Sequence, residues 1–219
     1  MPWLARPGVR RALAGLAVAL IAFGVGMLLY PVTTDIYTSR AQARLRREFA
    51  AQVQEQAPQP APGGPAPAPP VASAGQVVAL IRIPKLNLDT VMVEGTDPGT
   101  LREGPGHYPG SSLPCARGNM AVAGHRTTYG RPFSGLDQLT AGDKITLVTP
   151  QQRCTYEVVS GASPRPAPHK GSAAWFTSPD DWSAVGPLQG SYLTLTTCHP
   201  KGSAAKRLIV RARLVNGSG

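Results

Sequence analysis

The sequence predicts a mainly β domain of the small barrel or sandwich type, preceded by one transmembrane helix and a flexible linker. Three observations support this prediction. Residues 12–30 form an uncharged apolar run, residues 57–75 consist almost wholly of Ala, Pro and Gly, and residues 76–219 contain about seven short strand patterns separated by turn signals. A chain of 219 residues has room for one domain of ordinary size and these additional segments.

The composition excludes several classes of protein. The 22 Lys and Arg residues against 12 Asp and Glu residues give a formal net charge of +10, although only 16% of the residues are charged. The bases form no block of like charges and no stripe with interleaved aromatic residues, which argues against nucleic-acid binding. The three cysteines exclude a large disulfide scaffold, and a mean hydropathy of −0.10 excludes a multi-span membrane protein.

The apolar run at residues 12–30 predicts a membrane anchor. As a helix it spans about 28 Å, close to the hydrocarbon thickness of a bilayer. Residues 1–11 carry arginines and no acidic residue, so the positive-inside rule places them in the cytoplasm and the chain after residue 31 outside. The alternatives are a buried core helix and a cleaved signal peptide. Because the run is longer than the apolar region of a signal peptide and lacks a convincing cleavage site, we expect a single-pass protein of the cell membrane.

Two segments connect this anchor to the rest of the chain. Residues 31–56 are rich in helix formers and predict a helical stalk of a few turns, which Pro58 ends. Residues 57–75 cannot bury enough apolar surface to become ordered and predict a semi-extended spacer. Together these segments would hold the domain at residues 76–219 away from the membrane.

The domain at residues 76–219 is rich in short strand patterns bounded by Gly and Pro. These patterns lie at residues 77–83, 88–95, 118–126, 144–149, 154–160, 191–198 and 207–215. The fourth and fifth patterns, and likewise the last two, are close enough in the chain to form hairpins. Residues 97–104 and 132–139 predict single helical turns. No helical period extends beyond two turns, so a β barrel or sandwich is the expected architecture.

Two side chains of this domain have the chemistry for acyl transfer. Cys198 lies at the C-terminal end of a strand pattern, where its thiol would face a loop and a cleft. The alternative is a buried cysteine that only packs. His125 follows Gly124 at the end of another strand pattern, and a glycine there allows a ligand or another backbone to approach closely. The alternative is an ordinary histidine of a surface loop. Together they form the Cys/His pair of nucleophilic catalysis.

An arginine would complete this set by stabilising an oxyanion. Arg207, Arg211 and Arg213 share one face of the last strand, so alternation alone does not choose between them. If the last two strands form an antiparallel hairpin, Arg207 lies beside Cys198, and Arg211 lies about 13 Å further along the strand. Arg207 is therefore the predicted oxyanion-binding residue, and a solvent-facing position suits Arg211 and Arg213 better.

No metal site or cofactor is predicted. The sequence contains no CxxC or HExxH spacing, no phosphate-binding loop and no GxSxG elbow. Cys198 and His199 are neighbours, but successive residues of a strand point to opposite faces and cannot chelate one ion together.

Five segments of the chain resemble those of sortases, and most of all those of class E, the housekeeping type of high-GC Gram-positive bacteria. In order, they are VALIRIPKLNLDTVMVEGTD, GPGHYPGS, GNMAVAGHRTTYGRPF, SYLTLTTCHP and AAKRLIVRARLV. The resemblance covers roughly residues 77–215 and implies an eight-stranded sortase-type β-barrel with short helices. It also implies that His125 is the acid/base, Cys198 the nucleophile and Arg207 the stabilising arginine.

The resemblance further implies a role for Tyr108 in substrate binding. Tyr108, in the GHYP segment, would lie in a loop that helps to recognise the substrate; the alternative is that it only packs that loop. Thr196 and Thr197, just before Cys198, are assigned to substrate binding as well.

The implied activity is that of a membrane-anchored transpeptidase. Such an enzyme cleaves a Thr–Gly bond in the C-terminal sorting signal (LAXTG-like or LPXTG-like) of a secreted protein through a thioacyl-enzyme. It then joins that protein to an amine of a lipid-linked peptidoglycan precursor. The alternatives are a class C or D sortase, which would polymerise pilins or serve sporulation, and a non-catalytic module of the same fold that binds the cell envelope.

Cys115 and Cys154 match no sortase motif. Outside the membrane they could form a disulfide while Cys198 stays free, which would explain the odd number of cysteines. The alternative is two unpaired cysteines.

Overall fold

The computed structural model of the chain describes residues 7–55, 72–160 and 168–218. The first residues of the predicted cytoplasmic segment 1–11 therefore lie outside the described residues. Most of the predicted linker at residues 57–75 does so too.

The described part of the chain contains two α-helices and nine β-strands. The helices are α1 (Pro7–Glu55) and α2 (Pro98–Glu103). The strands are β1 (Val77–Ile83), β2 (Leu88–Glu94), β3 (Gly106–His107), β4 (Gly118–Ala123), β5 (Lys144–Val148), β6 (Arg153–Val158), β7 (Trp175–Thr177), β8 (Ser191–His199) and β9 (Lys206–Ser218). Single turns of 3-10 helix lie at Pro84–Leu86, Leu136–Gln138 and Trp182–Ala184.

The strands close into the predicted barrel. Eight of them form a ring in the order β6–β5–β1–β2–β3–β4–β8–β9, which closes because β9 also pairs with β6. The remaining strand, β7, pairs with β9 outside this ring. The predicted eight-stranded barrel with short helices is thus confirmed. Both predicted hairpins form as well, since β5 pairs with β6 and β8 pairs with β9, each antiparallel.

Alternation along β8 and β9 separates the core from the outer wall. Leu193 and Leu195 of β8 are fully buried in the barrel interior. They pack in the same core as buried residues of β9, namely Leu208, Val210 and Ala212. Thr194, between the two leucines, lies on the outer face, where its hydroxyl donates to Oδ1 of Asn119 at 2.8 Å. This outer face of β4, β8 and β9 is where the candidate site lies.

Three short elements show where sequence patterns were informative and where they were not. The predicted helical turn at 97–104 is α2, which Asp97 caps by accepting hydrogen bonds from the backbone N–H groups of Gly99 and Thr100. The strands β3 and β7 were not predicted. They have 2 and 3 residues, too few for an alternating pattern to be visible.

The N-terminal helix is longer than the predicted anchor. Residues 12–30 and the predicted stalk belong to one helix, α1, which contains Pro31. Apolar side chains from Leu13 to Val32 are exposed, and α1 is long and apolar enough to be a candidate membrane span. An apolar surface of this length without protein against it fits a lipid environment.

The C-terminal half of α1 packs on the barrel and does not project as a free stalk. Leu45 is completely buried in a cluster with Val77, Leu80, Val91 and Val93. The side-chain amide of Gln42 pairs with the backbone of β2: its Nε2 donates to the carbonyl of Val91 at 3.0 Å, and its Oε1 accepts from the Val91 N–H at 2.8 Å. This part of the predicted stalk is therefore part of the folded head in this structure.

The cysteines fall into one pair and one free thiol. Cys115 and Cys154 are joined by a disulfide with their Cα atoms 5.7 Å apart, which ties the segment before β4 to β6. Cys198 is free and partly exposed. The only thiol of the chain is therefore the one at the end of β8.

Candidate active site

A cleft of about 400 Å³ lies on the outer face of the barrel, over the ends of β4, β8 and β9. His125, Cys198 and Arg207, the residues that the sequence analysis assigned to catalysis, all line it. Tyr108 and Thr196 line the same cleft. The fold thus brings together side chains that are far apart in the sequence.

The parallel pairing of β4 with β8 places His125 level with Cys198. Ala123 pairs with Thr196, so two further residues along each strand bring positions 125 and 198 side by side. Two hydrogen bonds maintain this register beyond the strand: the Gly124 N–H donates to the carbonyl of Thr196 at 3.1 Å, and the Thr197 hydroxyl donates to the carbonyl of Gly124 at 2.7 Å.

The antiparallel pairing of β8 with β9 places Arg207 beside Cys198. The two residues are direct partners in the hairpin, as expected. Nη1 of Arg207 donates to Sγ of Cys198 at 3.9 Å and to the carbonyl of Ala204 at 3.0 Å. The second bond holds the guanidinium against the β8–β9 turn, next to the sulfur.

The other two arginines on this face of β9 do not approach the thiol. Arg211 donates from Nε to the Thr194 hydroxyl at 3.1 Å and from Nη2 to the carbonyl of Ala184 at 2.7 Å. Its guanidinium also lies over the ring of Trp175, 5.2 Å from the centroid. Arg213 is exposed. Of the three, only Arg207 can meet a reacting group at Cys198.

The surroundings of His125 favour the neutral form of its imidazole. Burial, with the positive charge of Arg102 as a second cause, lowers the pKa of His125 below its ordinary value of 6.5. Its imidazole is therefore mainly neutral at neutral pH and able to accept a proton. Among the described residues its Nε2 has no hydrogen-bond partner, and its ring lies 5.0 Å from the ring of Tyr129.

Gly124 permits the close approach that the sequence suggested, and an aromatic ring makes it. A Cβ at position 124 would lie 2.5 Å from the Phe133 ring. The backbone N–H of Phe133 also donates to the carbonyl of His125 at 3.1 Å. Phe133 is completely buried, so this contact fixes the backbone on which the imidazole is mounted.

Arg126 is a residue of the site that the sequence analysis did not single out. The residue is 5% exposed, and its Nη1 donates to Nδ1 of His199 at 2.7 Å and to the carbonyl of Cys198 at 3.4 Å. Its Nη2 lies 3.1 Å from a carboxylate oxygen of Asp137. The guanidinium therefore links the segment after His125 to the end of β8. Its position next to His125 in the AGHR segment was the signal that could have identified it.

The expected substrate-binding residues differ in what their side chains do. The hydroxyls of Tyr108 and Thr196 are hydrogen-bonded to each other at 3.0 Å on the cleft wall. The Thr197 hydroxyl is already bonded to Gly124, so it joins strands and is not offered to a ligand. Trp182, 70% exposed at the edge of the cleft, was not predicted and adds a large apolar surface.

No metal ligand set accompanies these residues. Within residues 7–55, 72–160 and 168–218, no group of three or more His, Cys, Asp and Glu side chains could hold a metal ion. The groups assembled in the cleft are a thiol, an imidazole and a guanidinium, which is the set for covalent acyl transfer.

Comparisons with known proteins agree with this arrangement. Residues 81–215 match the model of the sortase domain family, and this range contains His125, Cys198 and Arg207. The chain is 31% identical to sortase SrtE1 of Streptomyces coelicolor over 210 residues, 89% of this chain and 55% of that protein. It is 32% identical to sortase D of Bacillus subtilis over 64% of this chain and 65% of that protein. The chain thus spans less than two thirds of the length of these relatives.

Solved structures give the same picture for the barrel. The SrtF sortase from Corynebacterium diphtheriae superposes with a TM-score of 0.61 at 30% identity, covering 69% of this chain and 91% of that one. Sortase E from Streptomyces avermitilis superposes with a TM-score of 0.57 at 33% identity, covering 67% of this chain and 92% of that one.

Proposed function

The chain belongs to the sortase family, and we propose that it is a membrane-anchored class E transpeptidase that attaches secreted proteins to the cell wall. One observation carries the proposal: His125, Cys198 and Arg207 line one cleft, with the guanidinium 3.9 Å from the sulfur. The similarity to SrtE1 and to sortase E supports class E.

In the first half of the proposed reaction the chain cleaves a peptide bond. Neutral His125 takes the thiol proton of Cys198, and the thiolate attacks the carbonyl carbon of the Thr–Gly bond in a sorting signal. Arg207, with a backbone N–H, stabilises the oxyanion of the tetrahedral intermediate. The imidazolium of His125 then gives its proton to the departing glycine amine. This leaves the threonine carbonyl bound to Cys198 as a thioester.

In the second half an amine resolves this thioester. His125 accepts a proton from the attacking amine, which forms an amide with the threonine carbonyl and releases the thiol of Cys198. The proposed acceptor is the amine of a lipid-linked peptidoglycan precursor. Both halves use the same three side chains, with His125 alternating between base and acid.

The proposed substrate is an LAXTG-like peptide, in preference to the LPXTG type. Sortase E1 from Streptomyces coelicolor, a relative at 30% identity and a TM-score of 0.56, has been solved with a tripeptide in its active site. By analogy we assign peptide binding to the cleft lined by Tyr108, Thr196 and Trp182 in this chain. The apolar ring of Trp182 and the paired hydroxyls of Tyr108 and Thr196 suit a short, mostly uncharged peptide.

The proposed location is the cell membrane, with the N-terminus in the cytoplasm and the barrel outside. The arginines before the apolar part of α1 support this orientation. Sorting substrates that carry their own hydrophobic tails would share the same membrane, which raises the effective concentration of the peptide at the cleft.

The proposal is tested by incubating the full chain in lipid nanodiscs with LAXTG-type and LPXTG-type peptides and a small amine, and identifying products by mass spectrometry. We expect cleavage after the threonine and an amide to the added amine, with faster turnover of the LAXTG type. Cys198→Ala should abolish both cleavage and ligation, because no other free thiol is present.

Two results would count against the proposal. Turnover that survives in Cys198→Ala would assign the chemistry to another group. A folded wild-type chain that binds these peptides without cleaving them would instead favour a non-catalytic envelope-binding module.

A further inference from the structure

We propose that α1 helps to position the catalytic base, because Asp35 of this helix and Tyr129 of the loop after β4 together orient the imidazole of His125. This inference rests on the proposed function, in which His125 transfers protons at Cys198. It assigns a task to the anchor helix beyond attachment to a membrane. Asp35 and Tyr129 are positioning residues, since they act through His125.

Asp35 of α1 is hydrogen-bonded to the loop that follows His125. Oδ1 of Asp35 accepts a hydrogen bond from the backbone N–H of Gly130 at 3.0 Å, and Oδ2 accepts from Nη2 of Arg131 at 2.7 Å. One carboxylate therefore holds two successive residues of the loop. Asp35 lies just beyond the apolar part of α1, so the helix reaches the loop where it would leave the bilayer.

These hydrogen bonds maintain an unusual backbone conformation of the loop. Tyr129, Gly130 and Arg131 have φ angles of 52°, 71° and 49°, three consecutive residues in the left-handed region. Tyr and Arg rarely adopt this region, and such conformations persist where surrounding contacts enforce them. The bonds from Asp35 to Gly130 and Arg131 supply that enforcement from outside the loop.

The ring of Tyr129 connects the loop to the imidazole of His125. The ring of Tyr129 lies 5.0 Å from the ring of His125 on one side and meets the ring of Tyr37 of α1 edge-on at 6.3 Å on the other. Because Nε2 of His125 has no hydrogen-bond partner among the described residues, the imidazole is left to be oriented by packing contacts such as that with Tyr129. Tyr129 thus transmits the position of α1 to the proton-transfer group.

The helix α1 also contacts α2, whose residue Arg102 contributes to lowering the pKa of His125. The Thr38 hydroxyl donates to the carbonyl of Arg102 at 2.8 Å, and the Arg102 guanidinium lies over the Tyr129 ring, 5.8 Å from its centroid. Thr38, Asp35 and Tyr37 therefore fix α2 and the loop together. Without these contacts, the loop with Tyr129 and the helix α2 with Arg102 would both lose their attachment to α1.

The test uses the full chain in nanodiscs and compares kcat and KM for transpeptidation. We expect Asp35→Ala to lower kcat by about tenfold or more while KM changes less than twofold, because misplacement of a reacting group by about 1 Å slows the chemical step strongly. Tyr129→Asn should have the same effect, since Asn tolerates the left-handed backbone but lacks the ring. Tyr129→Phe keeps the ring and should retain kcat within twofold of the wild type.

The chain offers a matched control on the same helix. Arg46 of α1 forms an ion pair with Asp89 at 2.8 Å, about 16 Å along the helix from Asp35, and among the described residues neither partner is hydrogen-bonded to the loop after His125. Arg46→Gln therefore removes a comparable surface contact between α1 and the barrel without touching that loop. Its kcat should stay within twofold of the wild-type value, and melting temperatures of all variants should be measured alongside.

Two results would overturn the inference: an Asp35→Ala variant with kcat within twofold of the wild type, or an equal loss in Arg46→Gln. Failure of the proposed function is distinguishable, since the wild-type chain would then be inactive on every sorting peptide. If the wild-type chain is inactive, the inference is tested by the ¹³C chemical shift of the His125 ring. This shift must change in Asp35→Ala and stay at the wild-type value in Arg46→Gln.

Discussion

Three arginines occupy one face of β9, and each has a different environment. Arg207 donates to the sulfur of Cys198, Arg211 is bonded to Thr194 and Ala184, and Arg213 faces solvent. The charge is the same in all three, so position along the strand decides which one can bind an oxyanion. Loss of Arg207 should therefore affect chemistry, whereas loss of Arg213 should affect nothing at the cleft.

We expect Arg207→Gln to lower kcat for peptide cleavage by about 10²- to 10³-fold, the usual cost of removing one oxyanion donor. The melting temperature should change little, because Arg207 is partly exposed and its other bonds go to carbonyls of a turn. Steady-state kinetics and thermal unfolding measure the two effects. Arg213→Gln on the same face of β9 is the control and should retain wild-type kcat. An equal loss in both variants would contradict the assignment.

At the scale of single residues, a site residue could be predicted from the sequence when its role depends on its own side-chain chemistry and not on its neighbours in the fold. That Cys198 and His125 lie at one cleft could be expected, because their side chains have chemistry that few residues share. Arg207 required the hairpin register in addition, which the short loop before it indicated. Arg126 was overlooked because its task, joining two segments through buried hydrogen bonds, is visible only when both segments are in place.

At the scale of elements, α1 supplies what the sheet lacks beside β2. The strand β3 pairs with β2 only at Val93 and Glu94, which leaves the N–H and C=O of Val91 without a strand partner on that side. Gln42 satisfies both groups and also donates to the carbonyl of Glu103 at 2.8 Å. The helix thus covers an open sheet edge that would otherwise be able to pair with another chain.

We expect Gln42→Met to destabilise the docking of α1 by about 1–3 kcal/mol for each polar group of Val91 that it leaves buried without a partner. Met has a similar length but cannot form these hydrogen bonds. Hydrogen exchange of the full chain, followed by mass spectrometry, should show faster exchange of peptides that contain Val91. Peptides from the opposite side of the barrel, around β6, should exchange at the wild-type rate. Unchanged exchange at Val91 would contradict this role of Gln42.

The elements of the barrel could be predicted where apolar and β-branched residues extend over five or more positions, as in β1 and β8. The pairs β4–β8 and β1–β5 could not, because they join segments that no short turn connects. The docking of α1 was also out of reach. Thr38, Gln42 and Leu45 lie on one stripe of the helix, but two of the three are polar and bind backbone groups, so no apolar period marked the stripe as buried.

At the scale of the whole molecule, two histidines make stability depend on pH. Burial is the main cause that lowers the pKa values of both His125 and His199, with Arg102 and Arg126 respectively as further causes. In the unfolded chain both groups titrate near 6.5. The unfolded state therefore binds more protons than the folded state just below that pH, and stability falls as the pH decreases.

We expect the free energy of unfolding of the barrel to be constant above about pH 7 and to fall as the pH is lowered through 6.5 towards the folded pKa values of the two histidines. Urea denaturation of the detergent-solubilised chain, followed by tryptophan fluorescence, measures it at each pH. A variant that carries both His125→Gln and His199→Gln should show a flatter dependence between pH 7 and 5. The wild-type chain would disprove the expectation by becoming more stable with acidification in this window. Asp89 and Asp143, whose pKa values are lowered mainly by hydrogen bonds and ion pairs that outweigh their burial, act only at lower pH.

The order of the three cysteines along the chain has a consequence for biogenesis. In the proposed location outside the membrane, the polypeptide would emerge from its N-terminal side first, so Cys115 and Cys154 would meet an oxidising compartment while Cys198 is still behind them. The bond between the first two can close before a third sulfur arrives to compete for either partner. The proposed nucleophile, Cys198, would then enter a chain whose other sulfurs are already occupied, which disfavours mispaired isomers that would block its thiol.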